Sequence, residues 1–210
     1  MKWNVLTRVV IGVAVLVFFV GTWLQGGKPD FGWLKFFSAA VLAATVLLTV
    51  WDLWLWRTRI AQIIPGVPRS LRGTWRGTLT SFWVNPETGE RVPPKTVYLV
   101  VRQRITRISV TLLTNESRST SSLAELSEVD GICELVYLYI NRPEARFEHR
   151  SRMHHGSTVL SVSGSPAKRL KGKYWTDRDS KGELDFAEWN KTLVDDFEEG
   201  VTLFRPETKT

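Results

Sequence analysis

The stretch that decides the fold is residues 170–186, which read LKGKYWTDRDSKGELDF. On both sides of the central DRDSKG, the even-numbered positions are apolar or small and most odd-numbered positions are charged. Successive side chains of an extended chain point to opposite faces, so this alternation predicts two half-buried strands. The six central residues, Asp177–Gly182, end in a glycine suited to a hairpin turn.

Similar runs rich in Val, Ile, Thr, Tyr and Trp recur after Ser70, bounded by Gly, Pro, Asn and Ser. The predicted strands are Arg72–Val84, Thr96–Gln103, Ile105–Thr114, Ser119–Ser127, Cys133–Asn141, Thr158–Ser163, Leu170–Thr176 and Glu183–Asn190. A helical period is predicted over Thr192–Glu199. Eight antiparallel strands with short connections close most economically into a barrel, because closure removes the exposed edges. We therefore predict an all-β domain over residues 70–210, an eight-stranded antiparallel barrel that is either filled by side chains or holds one small ligand.

Two long apolar runs precede this domain. The run 9–27 contains no charged residue, and the run 36–56 contains one, Asp52. A bilayer core about 30 Å thick requires roughly 20 helical residues, so each run is long enough to span it. We expect a membrane protein in which residues 1–58 form a hairpin of two transmembrane α-helices, followed by a linker over residues 59–69.

The charges around the hairpin predict its orientation. More Lys and Arg residues lie before the first run and after the second than lie beside the turn between them, which places both ends in the cytoplasm. A cleaved signal peptide is the competing interpretation, but Gly21-Thr22-Trp23-Leu24 is a poor match to a cleavage site. A lone Cys133 agrees with a reducing compartment. The expected location is a bacterial inner membrane, with a multi-pass anchor and with the N-terminus and the barrel cytoplasmic.

Small residues four positions apart lie in the second run. Ala39 and Ala43, and likewise Ala40 and Ala44, allow close approach of helix backbones. They predict either packing against the first helix of the same hairpin or assembly of several protomers into a homo-oligomer.

No catalytic constellation stands out. The adjacent His154 and His155 would point to opposite faces of a strand and cannot easily share an ion, so no metal site is expected. Walker and nucleophile-elbow motifs are absent from the sequence. The net charge is +7, but residues 65–210 carry 22 basic against 19 acidic side chains, without a broad stripe for a DNA or RNA polymer. An enzyme is not expected.

Two motifs carry a resemblance to a known family. The predicted barrel opens with RGTWRGTL (Arg72–Leu79), and its last hairpin is the block 170–186 quoted above. With the two N-terminal apolar runs, this architecture resembles the two-transmembrane β-barrel effectors of bacterial cyclic-oligonucleotide anti-phage signalling (CBASS), which are CD-NTase-associated membrane effectors. In lipocalin-like barrels, a tryptophan placed as Trp75 is here closes one end.

The resemblance implies a membrane-anchored receptor that binds a cyclic dinucleotide in a lipocalin-like barrel. An infection-activated nucleotidyltransferase would make that ligand, which acts as an activator, and no other cofactor is implied. Binding would drive the hairpins to oligomerise and disrupt the inner membrane, which aborts phage infection.

For such a ligand, aromatic rings would stack on the bases and arginines would hold the phosphodiesters. The candidate ligand-binding residues on that reasoning are Trp75, Tyr98, Arg102, Tyr137, Tyr139, Tyr174 and Arg178. Two alternatives remain open: a membrane-tethered lipocalin-like carrier of an apolar ligand or lipid, and a scaffold whose filled barrel recruits a protein.

Overall fold

The structure is a computed structural model that describes residues 3–24, 26, 33–58, 60–64, 66–148 and 151–206. Its contacts divide the chain into two compact units. The first unit comprises residues 1–68 with 104–106, and the second comprises residues 69–103 with 107–210.

Two helices dominate the first unit, α1 over Trp3–Leu24 and α2 over Trp33–Leu53, and they contact each other. Ala40 and Ala44 are buried, whereas Ala39 is exposed and Ala43 is half-buried. Within the part of the chain that the structure describes, no helix combines the length and apolar character needed to cross a membrane. Of the loop expected between the two apolar runs, only Gly26 lies among the described residues.

Short turns follow α2, at Leu55–Arg57 and Ala61–Ile63. Trp56 is fully buried, and its indole Nε1 donates a hydrogen bond to the Asp52 carbonyl oxygen at 3.0 Å. The Gln62 side-chain amide donates to the Trp56 carbonyl oxygen at 2.9 Å. The segment expected to be a linker therefore contains ordered turns held by specific hydrogen bonds.

The second unit contains a closed barrel in which each strand pairs antiparallel with the next and the first pairs with the eighth. The strands are β1 Gly73–Ser81, β2 Lys95–Gln103, β3 Ile108–Leu113, β4 Ser117–Val129, β5 Ile132–Pro143, β6 His154–Ser163, β7 Arg169–Thr176 and β8 Lys181–Asn190. The predicted eight-stranded antiparallel barrel is confirmed.

Strand boundaries differ from the prediction by three residues or more at three places, and the first is the end of β1, which lies at Ser81 rather than Val84. β6 begins at His154 rather than Thr158, because His154 pairs with Asn141. The segment before Thr158 contains a glycine and two histidines, which made it resemble a loop in the sequence. β3 begins at Ile108 rather than Ile105, since the ladder with β2 ends at the pair Gln103 and Ile108.

Inward-facing side chains make the barrel core. The alternation predicted for β7 holds: Leu170 and Tyr174 are buried, whereas Lys171 and Lys173 are exposed. Trp75 fills one end of the barrel, where its Nε1 donates to the Leu71 carbonyl oxygen at 3.0 Å. That end is packed with apolar side chains, so space for a ligand lies toward the other end.

A C-terminal helix, α3 over Phe197–Leu203, covers part of the outer wall. The prediction of a helix over Thr192–Glu199 is wrong in its bounds, because Asp196 acts as the N-cap and accepts a hydrogen bond from the Glu199 amide at 2.8 Å. Helical structure therefore starts only at Phe197. Apolar residues of α3 and its flanks pack on the outward side chain of Tyr98.

Candidate ligand-binding cavity

A cavity of about 350 Å³ lies at the end of the barrel where β1, β3, β5 and β7 finish. Strands and connecting loops both contribute to its wall. The strand residues are Leu79, Ser81, Lys95, Val97, Leu112, Ser117, Ser119, Tyr139, Asn141, His154, Thr158, Tyr174, Thr176 and Leu184. The loop residues are Trp83, Val92, Thr114, Glu116, Ser151, Arg178 and Ser180.

Two buried tyrosines, Tyr139 and Tyr174, form part of this wall, and glycines on the neighbouring strands make room for them. A Cβ on Gly156 would lie 2.3 Å from Cζ and from Oη of Tyr139. A Cβ on Gly182 would lie 2.7 Å from Cε1 and 2.8 Å from Oη of Tyr174. Any larger residue at either glycine would collide with a tyrosine ring, so the glycines help to set the shape of the cavity.

Burial also fixes the protonation state of these rings. It raises the pKa of Tyr139 well above its ordinary value, with smaller contributions in the same direction from Tyr137, Tyr174 and Asp177. Burial raises the pKa of Tyr174 as well, although a hydrogen bond with Ser81 opposes the shift. Both phenols are therefore neutral at physiological pH and present aromatic surface with a hydroxyl rather than negative charge.

Deeper in the barrel, two hydroxyls face each other across β5 and β6. Tyr137 and Thr158 are directly opposite in the strand register, and they are 2% and 0% exposed. Neither hydroxyl makes a hydrogen bond of normal geometry with the protein. The nearby Thr158 hydroxyl lowers the pKa of Tyr137, but the effect of burial is larger and raises this pKa strongly. Thr158 lines the cavity, so an unpartnered polar atom lies in its wall.

Two basic side chains in the wall differ in their partners. Lys95 forms an ion pair with Glu116 at 2.9 Å, which neutralises much of its charge. Arg178 is exposed and makes only long hydrogen bonds, at 3.4 Å, to Ser151 Oγ and to the Arg152 carbonyl oxygen. Among the described residues of the wall, Arg178 is thus a cation without a carboxylate partner.

The turn between β7 and β8 positions Arg178. Thr176 Oγ1 accepts hydrogen bonds from the Arg178 amide at 3.2 Å and from the Ser180 amide at 3.3 Å. Asp177 Oδ2 accepts from the His155 amide at 3.0 Å, and this bond is the main cause of a lowered pKa for Asp177. Side-chain acceptors therefore add to the backbone hydrogen bonds at the turn, which hold the arginine at the edge of the cavity.

Amide and imidazole groups add further polarity to the wall. Ser119 Oγ donates to Asn141 Oδ1 at 2.8 Å, and both residues are buried. His154 Nδ1 lies 3.1 Å from the Arg152 carbonyl oxygen. The described part of the wall thus combines aromatic rings, neutral hydrogen-bonding groups and the guanidinium of Arg178, which suits an anionic ligand with aromatic parts.

The structure separates the seven candidate ligand-binding residues into three groups. Tyr139, Tyr174 and Arg178 line the cavity. Trp75 and Tyr137 face the barrel interior but do not line the cavity. The first group therefore forms the candidate site, and the second supports it from the packed interior.

Tyr98 and Arg102 lie on the outer wall instead. The Tyr98 ring packs against Phe197 and Phe204, with centroid separations of 5.3 and 5.8 Å. Arg102 forms an ion pair with Asp195 at 2.6 Å. The even-numbered positions of β2 point away from the cavity, so these two residues do not belong to the candidate site.

Several wall residues escaped the sequence reasoning. Thr158 and Asn141 lie on the inward faces that alternation identifies, but polar side chains there were not considered as ligand contacts. Trp83 lies in the β1–β2 connection and is 45% exposed beside the cavity. The sequence analysis places Trp83 inside the first predicted strand, Arg72–Val84, whereas β1 ends at Ser81, so no sequence signal set Trp83 apart as a cavity residue.

Metal and thiol chemistry have no counterpart in the described ranges. No group of three or more His, Cys, Asp or Glu side chains there is placed to hold a metal ion. Cys133 is buried among apolar residues, and burial raises the pKa of its thiol.

A protein-family comparison decides the relationship of this cavity to known receptors. The model of the family described as Cap15, cyclic dinucleotide receptor domain, matches residues 67–188. The chain belongs to this family. The match includes every residue of the cavity wall, so the candidate site lies inside the Cap15 receptor domain.

A curated relative supports the same assignment. CD-NTase-associated protein 15 from Staphylococcus schleiferi is 28% identical over 153 residues, which cover 73% of this chain and 79% of the relative. The resemblance to CBASS effectors, inferred from two short motifs and the domain order, is confirmed by these two matches.

Proposed function

We propose that this chain is a CBASS receptor and effector that binds a cyclic dinucleotide in the barrel cavity and does not transform it. The observation that carries the proposal is the cavity at the end of a Cap15-family barrel. There Arg178 has no carboxylate partner among the described residues and lies beside the buried rings of Tyr139 and Tyr174.

The chemistry of the ligand matches the wall. A cyclic dinucleotide carries two phosphodiester charges and two bases. A guanidinium binds phosphate oxygens through charge-assisted hydrogen bonds, and aromatic rings stack on bases. The cavity of about 350 Å³ is at the lower end of the range of roughly 300–1,000 Å³ typical of small-molecule sites. Part of the ligand would therefore extend toward the rim, where Arg178 lies.

A binding panel tests the proposal. The full chain in detergent is titrated calorimetrically with cyclic di-GMP, cyclic di-AMP and cyclic GMP–AMP, and the ligand is recovered afterwards. We expect saturable binding of at least one, with the nucleotide recovered unchanged. No binding across the panel would refute the receptor proposal, and saturable binding of a fatty acid instead would favour the lipid carrier.

Two arginine variants sharpen that test. Arg178→Ala should weaken binding by about 10-fold or more, since a hydrogen bond to a charged group contributes about 1.5–3 kcal/mol. Arg102→Ala is the matched control, because Arg102 pairs with Asp195 on the outer wall. Equal effects of the two substitutions would remove Arg178 from the site.

We further propose that residues 1–58 anchor the receptor in the bacterial inner membrane with the N-terminus and barrel cytoplasmic. The support is the sequence: an uncharged run over 9–27, a run over 36–56 with one charge, and the bias of Lys and Arg toward the outer flanks of the hairpin. The described helices do not by themselves reach the required length and apolarity.

Cysteine labelling in intact cells tests this topology. Gly26→Cys lies in the expected external loop and should react with a membrane-impermeant maleimide before lysis. Arg205→Cys follows α3 at an exposed position of the second unit and should react only after lysis. The native Cys133 is buried and supplies the background. Labelling of both positions, or of neither, before lysis would contradict the orientation.

Assembly and membrane disruption complete the proposal. Ala40 and Ala44 are buried within the first unit, whereas Ala39 is exposed and Ala43 is half-buried. The pair Ala39 and Ala43 therefore offers a small-residue surface to another protomer. Ala39→Leu with Ala43→Leu should block ligand-induced cross-linking and leakage of dye from vesicles. The other pair, replaced in the same way, should disturb the monomer. Unchanged cross-linking and leakage in the first variant would refute this use of the surface.

A further inference from the structure

The hydroxyl of Thr158 is a polar atom of the cavity wall whose hydrogen-bonding capacity is not filled by the described residues. Its side chain is 0% exposed and lines the cavity, and within the described residues its Oγ1 makes no hydrogen bond of normal geometry, although Tyr137 is close enough to be a partner. Buried hydroxyls are normally satisfied, because an unsatisfied donor or acceptor costs the full desolvation free energy of the group. Such a group at a ligand cavity indicates a hydrogen bond that forms on binding.

Tyr137 decides what kind of ligand atom the hydroxyl can recognise. It lies opposite Thr158, and its own hydroxyl is also buried without a hydrogen bond of normal geometry to the described residues. Each hydroxyl carries one donor hydrogen, so if the two bond to each other, one donor is still left over. Only Thr158 lines the cavity. The arrangement that a ligand can complete is therefore one in which Tyr137 donates to Thr158 and Thr158 donates to the ligand.

The depth of Thr158 indicates which part of the ligand it meets. Along β5 the inward positions run from Tyr137, opposite Thr158, through Tyr139 to Asn141 near the rim. Four residues of strand span about 13 Å at roughly 3.3 Å per residue. Arg178 lies in the β7–β8 turn at the rim. A ligand whose phosphates stay at the rim would thus place the tip of a base at Thr158.

From this juxtaposition we infer that Thr158 donates a hydrogen bond to the carbonyl oxygen at the tip of a keto base, so that the receptor reads guanine or uracil at the inner end of the cavity. This deepens the proposed function and rests on it. Guanine presents O6 and uracil presents O4 as acceptors at that position, whereas adenine and cytosine present amino groups. A donor that needs an acceptor discriminates against the amino bases.

A matched pair of threonine substitutions tests the inference in the full chain. Thr158→Val should weaken cyclic di-GMP binding by about 10-fold, equivalent to about 1.4 kcal/mol, and change cyclic di-AMP binding by no more than about twofold. Thr158→Ser retains the hydroxyl and should keep most of the affinity. Without ligand, Thr158→Val should melt close to the wild-type temperature, because it removes an unpartnered donor but also the acceptor that Thr158 offers to the Tyr137 hydroxyl.

Thr74 is the control. It is also 0% exposed, but its Oγ1 donates to the Thr192 carbonyl oxygen at 2.7 Å and accepts from the Val194 amide at 3.3 Å. Thr74→Val should therefore lower the melting temperature and leave the affinity within about twofold, because it strands two buried backbone groups.

The outcomes separate this inference from the receptor proposal. Unchanged cyclic di-GMP affinity in Thr158→Val, or an equal loss for both nucleotides, would overturn the role of Thr158. Binding of cyclic di-AMP alone by the wild-type chain would overturn the keto-base preference while the receptor proposal stands. Failure of the wild-type chain to bind any cyclic dinucleotide would refute the receptor proposal itself.

Discussion

Gly156→Ala is the substitution whose effect follows most directly from the cavity geometry. Gly156 lies opposite Tyr139 in the strand register, and an added Cβ would lie 2.3 Å from Cζ and Oη of that ring and 2.8 Å from the Trp175 carbonyl oxygen. Ordinary van der Waals contact begins at 3.4 Å, so the ring must move by about 1 Å. The Tyr139 ring is buried, which leaves the cavity as the space into which it can shift.

The magnitude follows from two opposing contributions. Overpacking a core costs about 1–3 kcal/mol. Alanine reduces the freedom of the unfolded chain relative to glycine and returns about 0.4–1 kcal/mol. The difference is a net loss of about 1–2 kcal/mol in the free energy of unfolding, which corresponds to about 2–8 °C in melting temperature for a chain of this size. Cyclic dinucleotide affinity should fall as well, since the displaced ring narrows the cavity.

Thermal unfolding of the full chain, followed by intrinsic tryptophan fluorescence, measures the effect. A double-mutant cycle with Tyr139→Leu attributes it to the ring: shortening that side chain should relieve part of the cost of Gly156→Ala, with a coupling free energy of about 1 kcal/mol or more. Ser157→Ala is the control on the opposite face and should shift stability by no more than about 0.5 kcal/mol. An unchanged melting temperature, or additive effects in the cycle, would refute the proposed contact.

Two further predictions concern the outer wall. Tyr98→Ala should lower the free energy of unfolding by about 3–5 kcal/mol, because it removes the buried ring under α3, and Leu123→Ala, at an exposed position, should change it by no more than about 0.5 kcal/mol. Equal destabilisation in urea unfolding would contradict the packing of α3. Asp185 accepts a hydrogen bond from Arg169 Nε at 2.7 Å and also contacts Nη2 of Arg169. These contacts lower the pKa of Asp185 in the folded protein. The pair therefore stabilises the fold above the ordinary carboxyl pKa of 3.8, and this stabilisation is lost as the pH falls through the lower pKa of the folded state. Asp185→Asn should lower the melting temperature near neutral pH by roughly 1–3 °C and flatten its fall below pH 4, as scanning calorimetry between pH 7 and pH 2 would measure; an unchanged acid slope would contradict the assignment.

The alternation of apolar and polar residues was sufficient to predict the barrel, because most of its strands have one face toward solvent and one toward the core. Residues 170–176 illustrate this: even positions point inward and odd positions outward, as the sequence indicates. The same period placed Tyr137, Tyr139 and Tyr174 on the inner face. Where one side of a strand meets solvent, the sequence of that strand is enough to orient its side chains.

Strand β2 shows where that reasoning fails. Its residues 97–101 are apolar at every position and buried on both faces, because α3 covers the outside of the barrel there. A continuous apolar run does not reveal which residues point inward. The inner or outer placement of Tyr98 therefore depends on a helix about one hundred residues away, and no local pattern encodes it.

The space inside the barrel was equally beyond the sequence. A filled barrel and a ligand-holding barrel have the same alternation, and the difference lies in a few contacts between distant strands. Gly156 and Gly182 accommodate the rings of Tyr139 and Tyr174, and the hydroxyl of Thr158 makes no hydrogen bond of normal geometry with the described residues. Such facts follow from the cross-strand register, which single-strand patterns do not specify.

The pairing of β1 with β8 also determines when the barrel can close during synthesis of the chain. β1 begins at Gly73, but its second partner ends at Asn190, and Arg76 additionally bonds to the carbonyl oxygen of Phe204. While a ribosome is still adding the residues after β7, the nascent barrel has two open edges and its wall is incomplete. A translation product that stops short of β8 therefore has no closed barrel, so the closed cavity forms only after β8 has been made.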